Sequence, residues 1–294
     1  DSKSPMFFIA IACAFNIALD YLFIGVLKLG PAGAALGTTL SQTISVLISL
    51  TMIFRKNMIP GFRFSDLKPA RSMMSSLLGI GFPIAMQDGF IQIAFIVITI
   101  IANRRGLNDA AAVGIVEKMI SLFFLVPSSM LSTVSALCAQ NIGAGKHDRA
   151  SQTLACATTI AVSYGIVISI LMQFTGRHIV SLFSGNADVI RLGSQYLHSY
   201  IWDCVFAGIH FCFSGYFCAY GQSGISFLHN IISVLCARIP LAYLASKCYP
   251  DNLFPMGCAA PAGSMLSVLI CVIAFVWMKN HPSQTGTRPG QKAS

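Results

Sequence analysis

Four polar residues, Asp88, Gln92, Thr99 and Asn103, recur at i, i+4, i+11 and i+15 in an otherwise apolar run, on one narrow stripe of a 3.6-residue helix. A second run carries Tyr196, Tyr200, Asp203, His210 and Ser214 at steps of 4, 3, 7 and 4, and a third contains RIP, opened by Arg238. In hydrocarbon an ionisable side chain costs roughly 2.5–3.5 kcal/mol even on the lenient insertion scale, so each such residue is either paired or binds something. The chemistry open to them is reversible capture of a proton, a small cation or a cationic solute. Asp88 and Asp203 are the candidate carboxylates, each readable as an ion- or substrate-binding group or as a satisfied structural acid. Gln92 shares the stripe of Asp88, and Tyr200 that of Asp203. His210 lies two turns from Asp203, about 10 Å by helical rise, which suits a water-linked relay as well as a core histidine. Arg238 must find a carboxylate or carbonyls at depth. Asp203 and Asp88 are its available partners, and a structural clamp is the preferred role.

The elements that position these residues are long. Of 294 residues 55% are hydrophobic and only 10% charged, and the mean hydropathy is +0.72, far from a soluble composition. Eight apolar runs, roughly 6–27, 32–54, 72–102, 110–139, 150–175, 190–220, 225–248 and 257–278, are each long enough to span a bilayer as helix. None alternates as a barrel strand would. The expectation is an all-α, polytopic membrane protein. The first run lacks a charged leader and a cleavage site, so it reads as a span and not as a signal peptide.

The net charge of +9 does not point to nucleic acid, because no basic cluster is interleaved with aromatics. It reports orientation: eleven of the 19 Lys and Arg fall on one side, among them Arg55, Arg63, Lys146 and Arg149, and six on the other, with Lys118 and Arg238 inside spans. Both termini and the 55–71 connector are therefore expected in the cytoplasm. Ten cysteines are scattered through apolar runs without CxxC or zinc spacing, as small packing residues. No metal site is expected beyond Na+ at Asp88 or Asp203, and no cofactor.

The stretch QNIGAGKHDRA (140–150) has a phosphate-loop look, yet no strand precedes it and Lys146 is followed by His147. It reads as a turn in which Gly143 and Gly145 permit reversal and Asp148 caps the next helix. Asn16 and Asp20, and the adjacent Glu117 and Lys118, read as solvated or interfacial charge. Pro83 and Pro127 lie inside spans and can bend them.

Residues 1–57 resemble 223–281: NIALDYL lies over RIPLAYL, and PAGAALG over PMGCAAP, with Pro31 on Pro255 and Gly33 on Gly257. If the last helix pair of one unit repeats as the last pair of another, the chain holds two helices of a truncated N-terminal six-helix lobe (1–57), a connector (58–71), a complete six-helix C-terminal lobe (72–280) and a tail (281–294). The missing N-terminal helices of the same protein would then be its partner. Repeats of this kind recur among secondary transporters.

DSKSP entering a helix, GPAGAALGTTLSQ (30–42), GFPIAMQ (81–87) and AQNIGAGKHDRA (139–150), in that order and spacing, resemble the MATE family, the multidrug and toxic compound extrusion transporters. The resemblance implies two lobes of six helices and, for function, an antiporter of the plasma membrane that exports organic cations and drugs in exchange for Na+ or H+. The sodium-coupled branch commonly has a glutamate eight residues after the proline of the third span, where this chain has Ile91, with Asp88 a turn nearer Pro83. The family often has an aspartate in the span of Asp203, here about a turn displaced. Under this reading Asp88 and Asp203 share one wet chamber, in which ion and substrate compete for the carboxylates. Small organic cations and membrane lipids are the implied partners. Rival readings are a lipid-linked oligosaccharide flippase, for which only Arg238 supplies central positive charge, and an intramembrane enzyme, which lacks a nucleophile context or metal spacing. The chain is accordingly expected not to be an enzyme.

Overall fold

The computed structural model describes residues 3–55, 68 and 70–281, so nearly all of the expected connector 58–71 and tail 281–294 lies outside the described residues. The described chain is helical throughout, as expected for an all-α membrane protein. Seven segments are long and apolar enough to cross a bilayer, and an eighth is a pair of helices bent by 42°. The chain divides into two compact units, residues 1–70 and 71–294.

The first unit is a helical hairpin. Helix α1 (Lys3–Asp20) runs on into a π-helical segment (Tyr21–Val26), and α2 (Gly30–Arg55) returns beside it. The reversal uses left-handed backbone at Lys28 (φ 53°) and Gly30 (φ 58°). Gly33, Gly37 and Ser41, spaced by four, are the buried residues of α2, and this small-residue stripe lets the two backbones approach closely. Ser45 adds a hydroxyl donated to the Phe8 carbonyl at 3.2 Å.

The second unit contains α3 (Arg71–Asn103), α4 (Leu107–Phe123), α5 (Leu125–Gly143), α6 (His147–Ser181), α7 (Ala187–Tyr200), α8 (Asp203–Ala219), α9 (Ser223–Ser233), α10 (Ile239–Cys248), α11 (Phe254–Gly257) and α12 (Ala259–Asn280), with a π-helical turn, Val234–Arg238, between α9 and α10. Three expected spans are therefore interrupted. Run 110–139 breaks at Phe124, 190–220 bends at Ile201–Trp202, and 225–248 widens at the π turn.

Proline causes the first break. Pro127 has no N–H for the Phe123 carbonyl four residues back, and that carbonyl instead accepts from the Tyr164 hydroxyl at 3.2 Å and the Cys204 thiol at 3.7 Å. Pro83 frees the Gly79 carbonyl inside α3 in the same way, and Ser223 donates its hydroxyl there at 3.4 Å. Each orphaned acceptor is thus satisfied by a side chain from another helix, as apolar surroundings require.

Helix α8 is held against α6 by another stripe, Ala157, Ala161, Gly165 and Ser169, all buried. A Cβ on Gly165 would lie 2.8 Å from the Val205 Cα, so the two backbones are in contact. Two apolar cores result, one around Tyr196, Tyr200 and Met256 and one around Val134, Cys212 and Phe217.

The run QNIGAGKHDRA is a turn. Lys146 N donates to Asn141 O at 2.8 Å, and Gly145 adopts φ 73°. Asp148 does not cap α6. Lys146 holds the N-cap position without a side-chain bond, and Asp148 lies within the first turn, near the positive end of the helix dipole. The turn after α8 is built alike, with Gln222 N donating to Phe217 O at 2.8 Å and Gly221 at φ 73°. His147 and Tyr220 join the two turns by a 3.0 Å hydrogen bond. Burial, and secondarily the Tyr216 hydroxyl, push the Tyr220 phenol above its ordinary range, so it meets His147 as a neutral hydroxyl. The ten cysteines are all free, four of them buried.

Candidate functional site

The bend between α7 and α8 puts Asp203 at the first position of α8, fully buried. Two tight bonds, Cys204 N to Ile201 O (3.0 Å) and Val205 N to Trp202 O (3.1 Å), shape the corner, and the amide end of α8 favours an anion there. Arg238 ends the π turn on the opposite wall. Its Nη2 donates to Asp203 Oδ2 at 2.5 Å, and its guanidinium carbon lies 6.0 Å from the Phe95 ring and 5.9 Å from the Tyr200 ring. Of the two partners considered for Arg238, the one bonded is Asp203.

Tyr200, Asp203, His210 and Arg238 line one cavity of about 170 Å³, together with Asn230, Ser233, Ser264 and Ser267. Three polar atoms on its lining residues are buried without a protein partner: Asp203 Oδ1, Arg238 Nε and His210 Nδ1. The volume lies below the roughly 300–1,000 Å³ of drug-sized pockets, and the space suits a few waters or a small cation.

His210 is not alone. His229, fully buried, sits edge-on at 5.6 Å and is held by Ser214 (2.9 Å) and Ser267 (3.1 Å). With Ser214 on the same helix face as His210, the polar stripe of α8 continues into a Ser–His–Ser chain. The alternation of small and polar residues through Ser226, His229, Asn230 and Ser233 at helical spacing was the available signal for it.

Asp88 and Gln92 are exposed on the second unit and are absent from the cavity lining. The inner face of α3 is set one residue away: Gln87, which accepts from Ser226 at 2.8 Å, then Ile91, Ala94, Phe95 and Ile98. One residue is 100° of helix, enough to turn a stripe off the packed face. Within this unit Asp88 does not line the cavity that holds Asp203.

Glu117 is also corrected. It is half-buried, not solvated: Thr99 donates to its Oε2 at 3.4 Å, Oε1 is buried without a partner, and it lies within electrostatic reach of Arg238. Asp203, Glu117 and Arg238 together carry two potential negative charges against one positive.

In the first unit, the end of α1 holds a second polar group. Asn16 Nδ2 donates to Thr38 Oγ1 at 3.4 Å, Thr38 donates on to Ala34 O at 3.0 Å, and Asp20 Oδ1, against Gly37, is buried without a partner. Among the described residues Asp20 forms no ion pair. It immediately precedes the π-helical Tyr21–Val26, as Arg238 ends the other π segment, and such segments frequently mark functional positions. The interfacial reading of Asn16 and Asp20 missed this, although the i, i+4 spacing was visible.

Long apolar helices with charge buried among them define a polytopic α-helical membrane protein. The family model described as MatE matches residues 83–244, more than half of the chain, and the chain belongs to that family. It is 30% identical over 247 residues to the probable multidrug resistance protein YpnP of Bacillus subtilis, covering 84% of this chain and 55% of that protein. It is 26% identical over 280 residues to a FAD transporter of Shewanella oneidensis, covering 92% of this chain and 60% of that one. A crystal structure of MATE in the straight conformation superposes with a TM-score of 0.86 at 20% identity, over 97% of this chain and 64% of that one. The chain thus spans 55–60% of the length of these two curated relatives. This is a family of transporters, not enzymes.

Proposed function

We propose that the protein is an antiporter of the plasma membrane that exports small organic cations and drugs in exchange for Na+ or H+. The names of its relatives support drug export, and the buried carboxylates support cation coupling. The observation that carries the residue-level reading is the contrast between Asp20 and Asp203. Asp203 is paired through Oδ2 with a guanidinium at hydrogen-bond distance, so a cation reaching its free Oδ1 meets the positive charge of Arg238 as well. Asp20 has a buried free oxygen against Gly37 and no cationic partner among the described residues, and a hard carboxylate oxygen of this kind suits Na+ or a proton.

In this reading Asp20 takes the coupling ion. The Asp203–Arg238 pair sets the field in the second unit, with the half-buried Glu117 within electrostatic reach of it. Tyr200 and His210 complete the wall of that cavity, and Asp88 and Gln92 remain candidates for substrate contact through their exposure. Ethidium efflux by cells expressing the full-length protein, with sodium and pH varied separately, tests the proposal. Efflux indifferent to both gradients would overturn the antiport reading, and efflux unaffected by Asp20→Asn would overturn the assignment of Asp20. The similarity to a FAD transporter favours one second reading, flavin-nucleotide export, which flavin release into the medium would reveal.

A further inference from the structure

A groove of about 450 Å³ runs between α5 and α6, away from the buried charges. Its polarity is graded along its length. At the end where the two helices join lie Asn141, Arg149 and Gln152, and deeper lie Leu137, Val134 and Ile160. The gradient follows from chain direction, since α5 runs toward the turn and α6 away from it. From Met130 to Asn141, and again from Arg149 to Ile160, the lining spans eleven helical rises, about 16 Å of helix. That is about half of the roughly 30 Å hydrocarbon thickness, the depth of one leaflet.

Arg149 is exposed and makes no ion pair among the described residues, and the neighbouring Asp148 makes none either. Lys146 stands one residue before α6, outside the groove lining, and the amide end of α6 adds positive potential near Arg149. The Thr153 and Thr133 hydroxyls are spent on carbonyls of their own helix, so the deep wall presents no free donor from either threonine.

We propose that this groove binds one anionic phospholipid, with its phosphate at Arg149 and an acyl chain along Leu137, Val134 and Ile160. A free phosphate would use the rim alone. A lipid uses the rim and a 16 Å apolar trough of single-leaflet length, which is why the lipid is the occupant inferred. By the charge asymmetry of the sequence, the leaflet is the cytoplasmic one.

The test is native mass spectrometry of the detergent-solubilised full-length protein, titrated with phosphatidylglycerol, phosphatidylcholine or glycerol phosphate. Phosphatidylglycerol is expected to be retained about fivefold or more over phosphatidylcholine, and Arg149→Gln to remove that preference. Arg149→Lys keeps the charge and is expected to keep the preference. Cys156→Trp, which fills the exposed middle of the trough, is expected to weaken both lipids without altering charge. Equal retention of the two lipids, full retention in both Arg149→Gln and Cys156→Trp, or displacement by glycerol phosphate at matching concentration would each overturn the proposal. Should Arg149→Gln fail to fold, the Cys156→Trp arm decides it.

Discussion

Arg238 Nη2, at the end of the π turn after α9, donates to Asp203 Oδ2 at the start of α8 at 2.5 Å, with Asp203 fully buried and the Arg238 side chain 13% exposed. Two opposed charges at this depth are stable together and costly apart. Removing one partner of a buried pair typically costs about 3–5 kcal/mol, because the survivor is left uncompensated, while replacing both is far milder. Arg238→Gln alone is expected to lower the unfolding temperature of the purified protein sharply. Asp203→Asn combined with Arg238→Gln should recover most of that loss. Thermal denaturation of the single and double variants checks this, and strict additivity would mean that the two groups do not act as a pair.

The Asp20 assignment makes a sharper demand, because Gly37 sits where any side chain would meet the Asp20 carboxylate. Asp20→Asn is expected to abolish gradient-dependent efflux while leaving the protein folded. Gly37→Ala, which leaves the carboxylate in place but crowds it, should reduce efflux as well. Asp88→Asn, on an exposed position of α3, is expected to retain coupling even where it alters substrate preference. Efflux assays run across a sodium series at fixed pH, and then a pH series at fixed sodium, separate these outcomes.

Much of this was legible in the residues, and what was not has definite physical causes. A buried charge announces itself, so Asp203 and Arg238 could be singled out from their apolar neighbours, and their burial forced a partner. Which face a residue occupies is harder, since one residue along a helix is a turn of 100°: Gln87 packs inward against Ser226 while Asp88 beside it is exposed. Glu117 was masked by Lys118 beside it. The helix break at Phe124 and the packing of Thr99 against Glu117 are tertiary facts that a charged doublet does not reveal. Asp20 lies near a helix end, where an acid is usually solvated. Its burial comes from Gly37 on the returning helix, seventeen positions away in no periodic pattern with it.

The freed carbonyls of the proline breaks allow a double-mutant test. Tyr164→Phe removes one of two donors to Phe123 O and is expected to cost about 1 kcal/mol of stability. Pro127→Ala restores the backbone N–H that the carbonyl lacks. In the Pro127→Ala background the Tyr164→Phe cost should shrink toward zero, because the acceptor is already satisfied. An undiminished cost, measured by chemical denaturation of all four proteins, would show that Tyr164 acts there by packing alone.

Close contact between α6 and α8 gives the last expectation, and it bears on the cavity directly. Any Cβ at Gly165 would press on the backbone of Val205, two residues from Asp203, while a Cβ at Gly143, the last residue of α5, meets nothing within 4 Å. Gly165→Ala is therefore expected to cost about 1–3 kcal/mol, as overpacking does. Because the strain falls on the first turn of α8, it should also shift the Asp203 carboxylate against Arg238. Gly143→Ala, by comparison, adds a side chain to a helical position with open space and should be neutral or slightly stabilising. The two alanine variants, compared for unfolding temperature and for efflux, separate a general loss of packing from a displaced ion pair: in the second case Gly165→Ala loses efflux at temperatures where it is still fully folded.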